Sequence, residues 1–277
     1  MFFLINIISS ILTTFLVCYF GNIIQHSYDF YIPILLFIAF LIGYIALTFI
    51  LIFMIAIPVK RKTEFNQKDS KFYRFLMEHM FTYLNTLGLV RIHFEGKEKI
   101  EKGKKLVYVC NHRSKFDPMV ISDKLKGYNI AWIAKKSLFK MPLVSNYMYK
   151  SNFLSLDRDD LRQGLRVIEK AVEYISEGQN SIGVFPEGTR NTTKDNLLPF
   201  KSGSFKISLL AKTDIVVMAV LNTELIAKRW PLKSTKVYVR VCEVIKYDDI
   251  KDLTSYEVAN KVHEIMEKNI IEMKNNI

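Results

Sequence analysis

Two long stretches without a formal charge, Met1 to Ile24 and Phe30 to Val59, constrain this chain more than any other feature. Each exceeds the roughly 20 apolar residues that a helix needs to cross a bilayer. The interruption Gln25-His26-Ser27-Tyr28-Asp29 is short, which predicts a tight turn between two antiparallel spans, with Tyr28, Phe30 and Tyr31 at interface depth. Lys60-Arg61-Lys62 follows the second stretch. Positive charge is retained on the cytoplasmic side, so the expectation is an integral membrane protein. A two-helix transmembrane hairpin occupies residues 1–60, and both of its ends, with all that follows, face the cytoplasm. A cleaved secretory signal is the alternative for the first stretch, but it lacks a basic leader and a clear small-residue cleavage site.

Residues 61–277 read differently, as one cytoplasmic domain. Strands are expected at Val90 to Phe94, Leu106 to Cys110, Asn129 to Ala134, Ser181 to Phe185, Asp214 to Leu221 and Lys236 to Ile245. Helices are expected from Pro118, and over Leu161 to Ser176, Phe205 to Ala211 and Ser255 to Lys274. This alternation predicts an α/β fold, a mostly parallel central sheet flanked by helices, with its site beyond the carboxyl ends of the strands. Ahead of it, Lys68 to Leu89 carries Phe72, Phe75, Leu76, Met80, Tyr83, Leu84 and Leu87 at helical spacing. That pattern suits a helix packed on the domain core or one lying on a lipid surface.

The formal net charge of +12 fits an anionic membrane or an anionic substrate. Nucleic acid is disfavoured, because the basic residues are spread and no zinc-finger, helix-turn-helix or RNA-binding signature is present. Cys18, Cys110 and Cys242 lie far apart in apolar runs, which gives neither a disulfide framework nor metal-ligand spacing. No metal and no cofactor is expected.

The chemistry is expected at Asn111-His112-Arg113-Ser114-Lys115-Phe116-Asp117-Pro118. His112 sits where a strand ends, and Asp117 with Pro118 reads as the N-cap and first-turn proline of a helix. A turn between them lets Asp117 accept a hydrogen bond from one imidazole nitrogen and leaves the other free as a base. A lone His at a strand end is more often structural, so support must come from elsewhere. Phe185-Pro186-Glu187-Gly188-Thr189-Arg190 supplies it, after another strand. There Pro186 and Gly188 fix a turn, Gly188 lets a substrate approach the backbone, and Glu187 and Arg190 offer an acceptor and a fork-shaped anion clamp.

These two motifs, in this order, resemble those of the glycerolipid acyltransferases, specifically the 1-acylglycerol-3-phosphate O-acyltransferase (lysophosphatidic acid acyltransferase) family. The resemblance runs through Ala134 to Pro142, Leu156-Asp157-Arg158 and Leu198 to Lys206, and weakens after Leu221. It implies the fold of those enzymes, with His112 and Asp117 as the catalytic pair, base and orienting partner. It also implies an acceptor site made by Arg158, Glu187, Gly188, Thr189 and Arg190, with Lys136 and Lys201 as further phosphate ligands. The implied reaction moves an acyl chain from acyl-CoA or acyl-carrier protein to the sn-2 hydroxyl of lysophosphatidic acid, making phosphatidic acid among membrane lipids. Transfer is expected to be direct, since the chain has no Gly-x-Ser-x-Gly elbow and Cys110 sits inside an apolar strand. Another lysophospholipid headgroup, a hydrolase using the same pair, and a non-catalytic membrane scaffold are the competing readings. Two positions depart from the family pattern: Ser151-Asn152 stands where a Gly is usual, and Met218 where a Pro is usual.

Overall fold

The computed structural model describes the whole chain except Lys62, Gln67 and Ile277 and the side chains of Ser27 and Tyr28. The Lys62 end of the basic cluster and the interface placement of Tyr28 therefore lie outside the described residues. The chain divides into two compact units, Met1–Lys60 and Arg61–Ile277.

The first unit is a helical hairpin of α1 (Phe2–Phe20) and α2 (Tyr31–Ala56). Both helices are long and apolar enough to cross a membrane. At 1.5 Å per residue they measure about 28 and 39 Å. The packing is the reverse of a water-soluble pair. Asn6, Ser10 and Thr14, one turn apart on α1, are buried, while Leu4, Ile8, Ile11 and Phe15 face outward. Thr48 Oγ1 donates to Asn6 Oδ1 (3.1 Å), and the Thr13 and Tyr44 hydroxyls share a hydrogen bond of 2.8 Å. Small and polar residues at a helix contact with aliphatic residues outside suit lipid, where apolar surface gains nothing from being hidden. Between the helices the Asp29 carboxylate accepts from the backbone N–H of Gln25 and His26, which closes the turn.

In the second unit the elements run α3 (Lys71–Leu87), β1 (Val90–Glu95), β2 (Val107–Cys110), α4 (Asp117–Lys124), β3 (Ile130–Lys135), α5 (Val144–Lys150), β4 (Leu154–Leu156) and α6 (Leu161–Ser176). They continue with β5 (Ser181–Val184), α7 (Lys206–Ala211), β6 (Ile215–Leu221), α8 (Ile226–Arg229), β7 (Thr235–Ile245) and α9 (Ser255–Asn275). The seven strands form one sheet in the order β1-β7-β6-β2-β5-β3-β4, parallel at every pairing except β6 with β7. Its central strands β2, β5 and β6 are buried along their whole length, as continuous apolar runs require when helices cover both faces.

Both departures from the family pattern have a backbone explanation. Asn152 is fully buried at φ 59°, a left-handed conformation that costs Gly nothing and that Asn tolerates best among the rest. Its amide is held by Asn66, Gln179 and Asn180. Met218 marks a register shift between β6 and β7, a bulge where a residue lacking its N–H would also be accommodated.

Helix α3 packs on the core through Met77, Met80 and Tyr83, whereas Phe72 and Phe75 stay exposed, 55% and 45%. Its inward face includes Arg74, which periodicity alone reads as solvent-facing. The guanidinium is buried, pairs in fork fashion with Asp69 (2.7 and 2.9 Å) and donates to the carbonyls of Ile130 and Ser151. Arg74→Ala would strand the carboxylate and two carbonyls, and is expected to destabilise the unit by roughly 3–5 kcal/mol. Chemical denaturation of the variant in detergent checks this.

Candidate active site

The sheet order collects the expected residues. Strands β2, β5, β3 and β4 are consecutive neighbours and parallel, so their carboxyl ends share one edge. His112 lies just past β2, Glu187 to Arg190 just past β5, Lys136 immediately after β3 and Arg158 two residues after β4.

His112 is held at that edge by a carboxylate and a stacked ring. Its Nδ1 is 2.7 Å from Asp117 Oδ2, and its side chain keeps 16% exposure while that of Asp117 has none. A carboxylate only accepts, so Nδ1 carries the proton and Nε2 of the neutral ring is left with a free lone pair. The imidazole also lies on the Phe185 ring, centroids 4.3 Å apart and planes within 23°. Trp132 stacks on Phe185 in turn, at 4.8 Å. Gly183 makes that second stack possible, because a Cβ there would lie only 2.4 Å from the indole ring.

Asp117 differs from the helix N-cap that the sequence suggested. The helix starts at Asp117 with Pro118 in its first turn, but the carboxylate does not cap it. Oδ2 instead turns back to accept from the backbone N–H of Arg113 (2.7 Å) and Ser114 (2.8 Å) as well as from His112, and Oδ1 accepts from the Thr223 hydroxyl. Four donors thus surround a carboxylate with no solvent exposure, which is what an interior charge requires.

The turn after β5 grips the base, where the sequence suggested that it would grip a substrate. Glu187 is 3% exposed. Its Oε1 accepts from the His112 N–H (2.6 Å) and its Oε2 from the Leu198 N–H (2.9 Å), so both oxygens are occupied. Burial holds its carboxyl above the ordinary range, against the pull of those two N–H groups. The Asn191 N–H donates to the His112 carbonyl at 2.7 Å, so both backbone polar groups of His112 are tied to this loop. Gly188 has φ 67°, and the place a Cβ would take is filled by the Lys201 side chain, at 2.8 Å. Gly188 thus admits Lys201 to the turn, a closer tenant than the substrate backbone contact inferred from sequence.

The remaining candidates separate into two groups. Thr189, Arg190 and Lys201 are exposed on or beside the turn next to His112, and among the described residues the Arg190 and Lys201 side chains make no ion pair. Arg158 is exposed and likewise unpaired, but β4 stands three strands from β2, roughly 14 Å along the edge. Lys136 is not free, since its Nζ is 2.9 Å from Asp157 Oδ2. Burial pushes the Cys110 thiol, beside the site in β2, well above its ordinary range and keeps it protonated and un-nucleophilic. Sequence reasoning missed Asn111, Phe185 as a ring partner, and Thr223. Asn111 and Phe185 both lay inside motifs already singled out, but nothing local marks Thr223, which is 106 positions from the residue it touches.

Comparison with known proteins follows the same residues. A family model described as acyltransferase matches residues 91–221. The 1-acyl-sn-glycerol-3-phosphate acyltransferase of Borreliella burgdorferi is 31% identical over 180 residues, 63% of this chain and 68% of the relative. The Haemophilus influenzae protein of the same name is 29% identical over 178 residues, 62% of this chain and 70% of the relative. Among solved structures, the 1-acyl-sn-glycerophosphate (LPA) acyltransferase PlsC from Thermotoga maritima superimposes with a TM-score of 0.56 at 27% identity, covering 74% of this chain and 79% of that one.

Proposed function

This chain belongs to the 1-acyl-sn-glycerol-3-phosphate acyltransferase family, and on that premise we propose that it esterifies the sn-2 hydroxyl of lysophosphatidic acid with an acyl chain from a thioester donor, giving phosphatidic acid. The observation that carries the mechanism is the 2.7 Å contact of His112 Nδ1 with Asp117 Oδ2, at the sheet edge where Arg190 and Lys201 make no ion pair among the described residues. Nε2 takes the proton of the sn-2 hydroxyl as that oxygen attacks the thioester carbonyl. The carbon–sulfur bond breaks as the tetrahedral intermediate collapses, and the imidazolium returns its proton to the departing thiolate. Asp117 stabilises the imidazolium between the two steps. The same residue serves as base and then acid, so neither an acyl-enzyme nor a prosthetic group is needed.

The acceptor phosphate has its best-placed ligands in Arg190 and Lys201, which flank the turn adjoining His112. Arg158, farther along the edge, would meet a more distant anionic group of the acceptor or the donor, either acyl-CoA or acyl-carrier protein. Lys60 and Arg61, directly after the second uncharged stretch, support placing Arg61–Ile277 on the cytoplasmic side.

Purified membranes supplied with one donor and a panel of acceptors test the reading. Lysophosphatidic acid is expected to give the highest kcat/KM, and Arg190→Ala to raise the acceptor KM about tenfold or more, in line with a lost charge-assisted contact. Preference for lysophosphatidylglycerol or an aminolipid would move the assignment to a different headgroup.

A further inference from the structure

Thr223 lies two residues beyond the segment that the family model matches, and its side chain is completely buried. The sequence just before it explains how it arrives there. At the end of β2 the Asn111 side chain pairs with β6 as a peptide would, accepting from the Val220 N–H (2.7 Å) and donating to the Val220 carbonyl (3.0 Å). The ends of two strands are thereby locked in register. Asn222 then takes φ 70° and turns the chain back over the β2 loop, where a short 3-10 turn, Thr223–Leu225, begins. The next residue, Glu224, reaches Arg113 at 3.5 Å. Among the described residues the hydroxyl of Thr223 has Asp117 Oδ1 as its acceptor.

We propose that Thr223 is a positioning residue for acyl transfer, acting through Asp117 on the base. The inference rests on His112 being that base. The torsion that sets the plane of an aspartate carboxylate is soft and roughly two-fold. Three of the four donors to Asp117 converge on Oδ2, and because one rotation carries both oxygens together, the donor on Oδ1 is a further restraint on the same plane. The Thr223 hydroxyl holds the other oxygen on the β6 side, which narrows that rotation and helps keep Oδ2 on Nδ1. Without the hydroxyl, Oδ1 becomes a charged atom in the interior with no donor, and the carboxylate is expected to rotate or take up a proton. Either response weakens its hold on the imidazolium, which forms only as the reaction proceeds, so the loss falls on turnover.

Thr223→Val keeps the shape and removes the hydroxyl; Thr223→Ser keeps the hydroxyl. Assayed with full-length protein, lysophosphatidic acid and acyl-CoA, the valine variant is expected to lose roughly ten- to a hundredfold in kcat, the scale of a hydrogen bond to a charged group. Its KM values should stay within about twofold, its thermal midpoint should fall by only about 2–10 °C, the cost of one unsatisfied buried acceptor, and serine should restore most of kcat. If valine does not fold, Thr223→Ala is read in its place. Wild-type kcat in the hydroxyl-free variant, a loss carried by KM, or failure of serine to restore turnover would overturn the proposal. His112→Ala in the same assay separates the premises: if it is inactive while Thr223→Val is unimpaired, only the role of Thr223 fails, and if it is active the general-base reading itself fails.

Discussion

His112→Ala is expected to lower acyl transfer by roughly 10²- to 10⁴-fold, the usual contribution of a positioned general base, with little change in folding. The size follows from what the imidazole does. An unassisted hydroxyl is a poor nucleophile toward a thioester, and among the described residues no other imidazole stands at this edge. Cys110 is a buried, protonated thiol, and the Glu187 carboxylate is fully occupied by two backbone donors. The fold should survive because Glu187 and Asn191 hold the backbone of residue 112, whatever its side chain. What alanine removes is the ring on Phe185 and one of four donors to Asp117. Steady-state kinetics with a thermal melt on the same preparation tests both halves.

At Asp117 the expected result depends on which residue replaces it. Alanine leaves the N–H groups of Arg113 and Ser114, the Thr223 hydroxyl and the His112 Nδ1 proton without an acceptor, so both the loop and the base lose their reference point. Activity should fall nearly as far as in His112→Ala, roughly 10²- to 10⁴-fold. Asparagine should be milder. The two backbone N–H groups that converge on Oδ2 force the amide oxygen into that position, and the amide nitrogen then faces the Thr223 oxygen, which can accept. Nδ1 keeps an acceptor and the tautomer is preserved. Only the negative charge opposite the imidazolium is lost, which corresponds to roughly a ten- to hundredfold decrease in kcat, from the difference between charged and neutral hydrogen bonds. A kcat for asparagine as low as that for alanine would show that the tautomer is not fixed by these N–H groups.

Much of this could be read from the chain before its fold was known. Periodicity placed the helix Leu161–Ser176 and, within a residue or two, six of the seven strands, because buried central strands and amphipathic helices leave strong patterns. The alternation of strands and helices carried the mostly parallel sheet and, with it, the meeting of two distant motifs at one edge. Strand β4, only three residues long, is too short to have a period. Arg74 was illegible because a buried arginine is licensed by Asp69 and two carbonyls that only the fold brings near. The partners of Glu187 were illegible for the same reason. Its residue type allowed a substrate contact, but its partner is the N–H of a residue 75 positions away. Local sequence shows which groups can bond, and topology decides which of them are used up.

Direct transfer from thioester to hydroxyl is tested most plainly by following a labelled acyl chain. Full-length protein in membranes is given labelled acyl-CoA or acyl-carrier protein, with and without lysophosphatidic acid, and the label is traced to lipid, free fatty acid and protein. The account predicts labelled phosphatidic acid only when the acceptor is present, and no label on the protein at any time. Label retained on the chain, or fatty acid released without acceptor as fast as lipid forms with it, would contradict it.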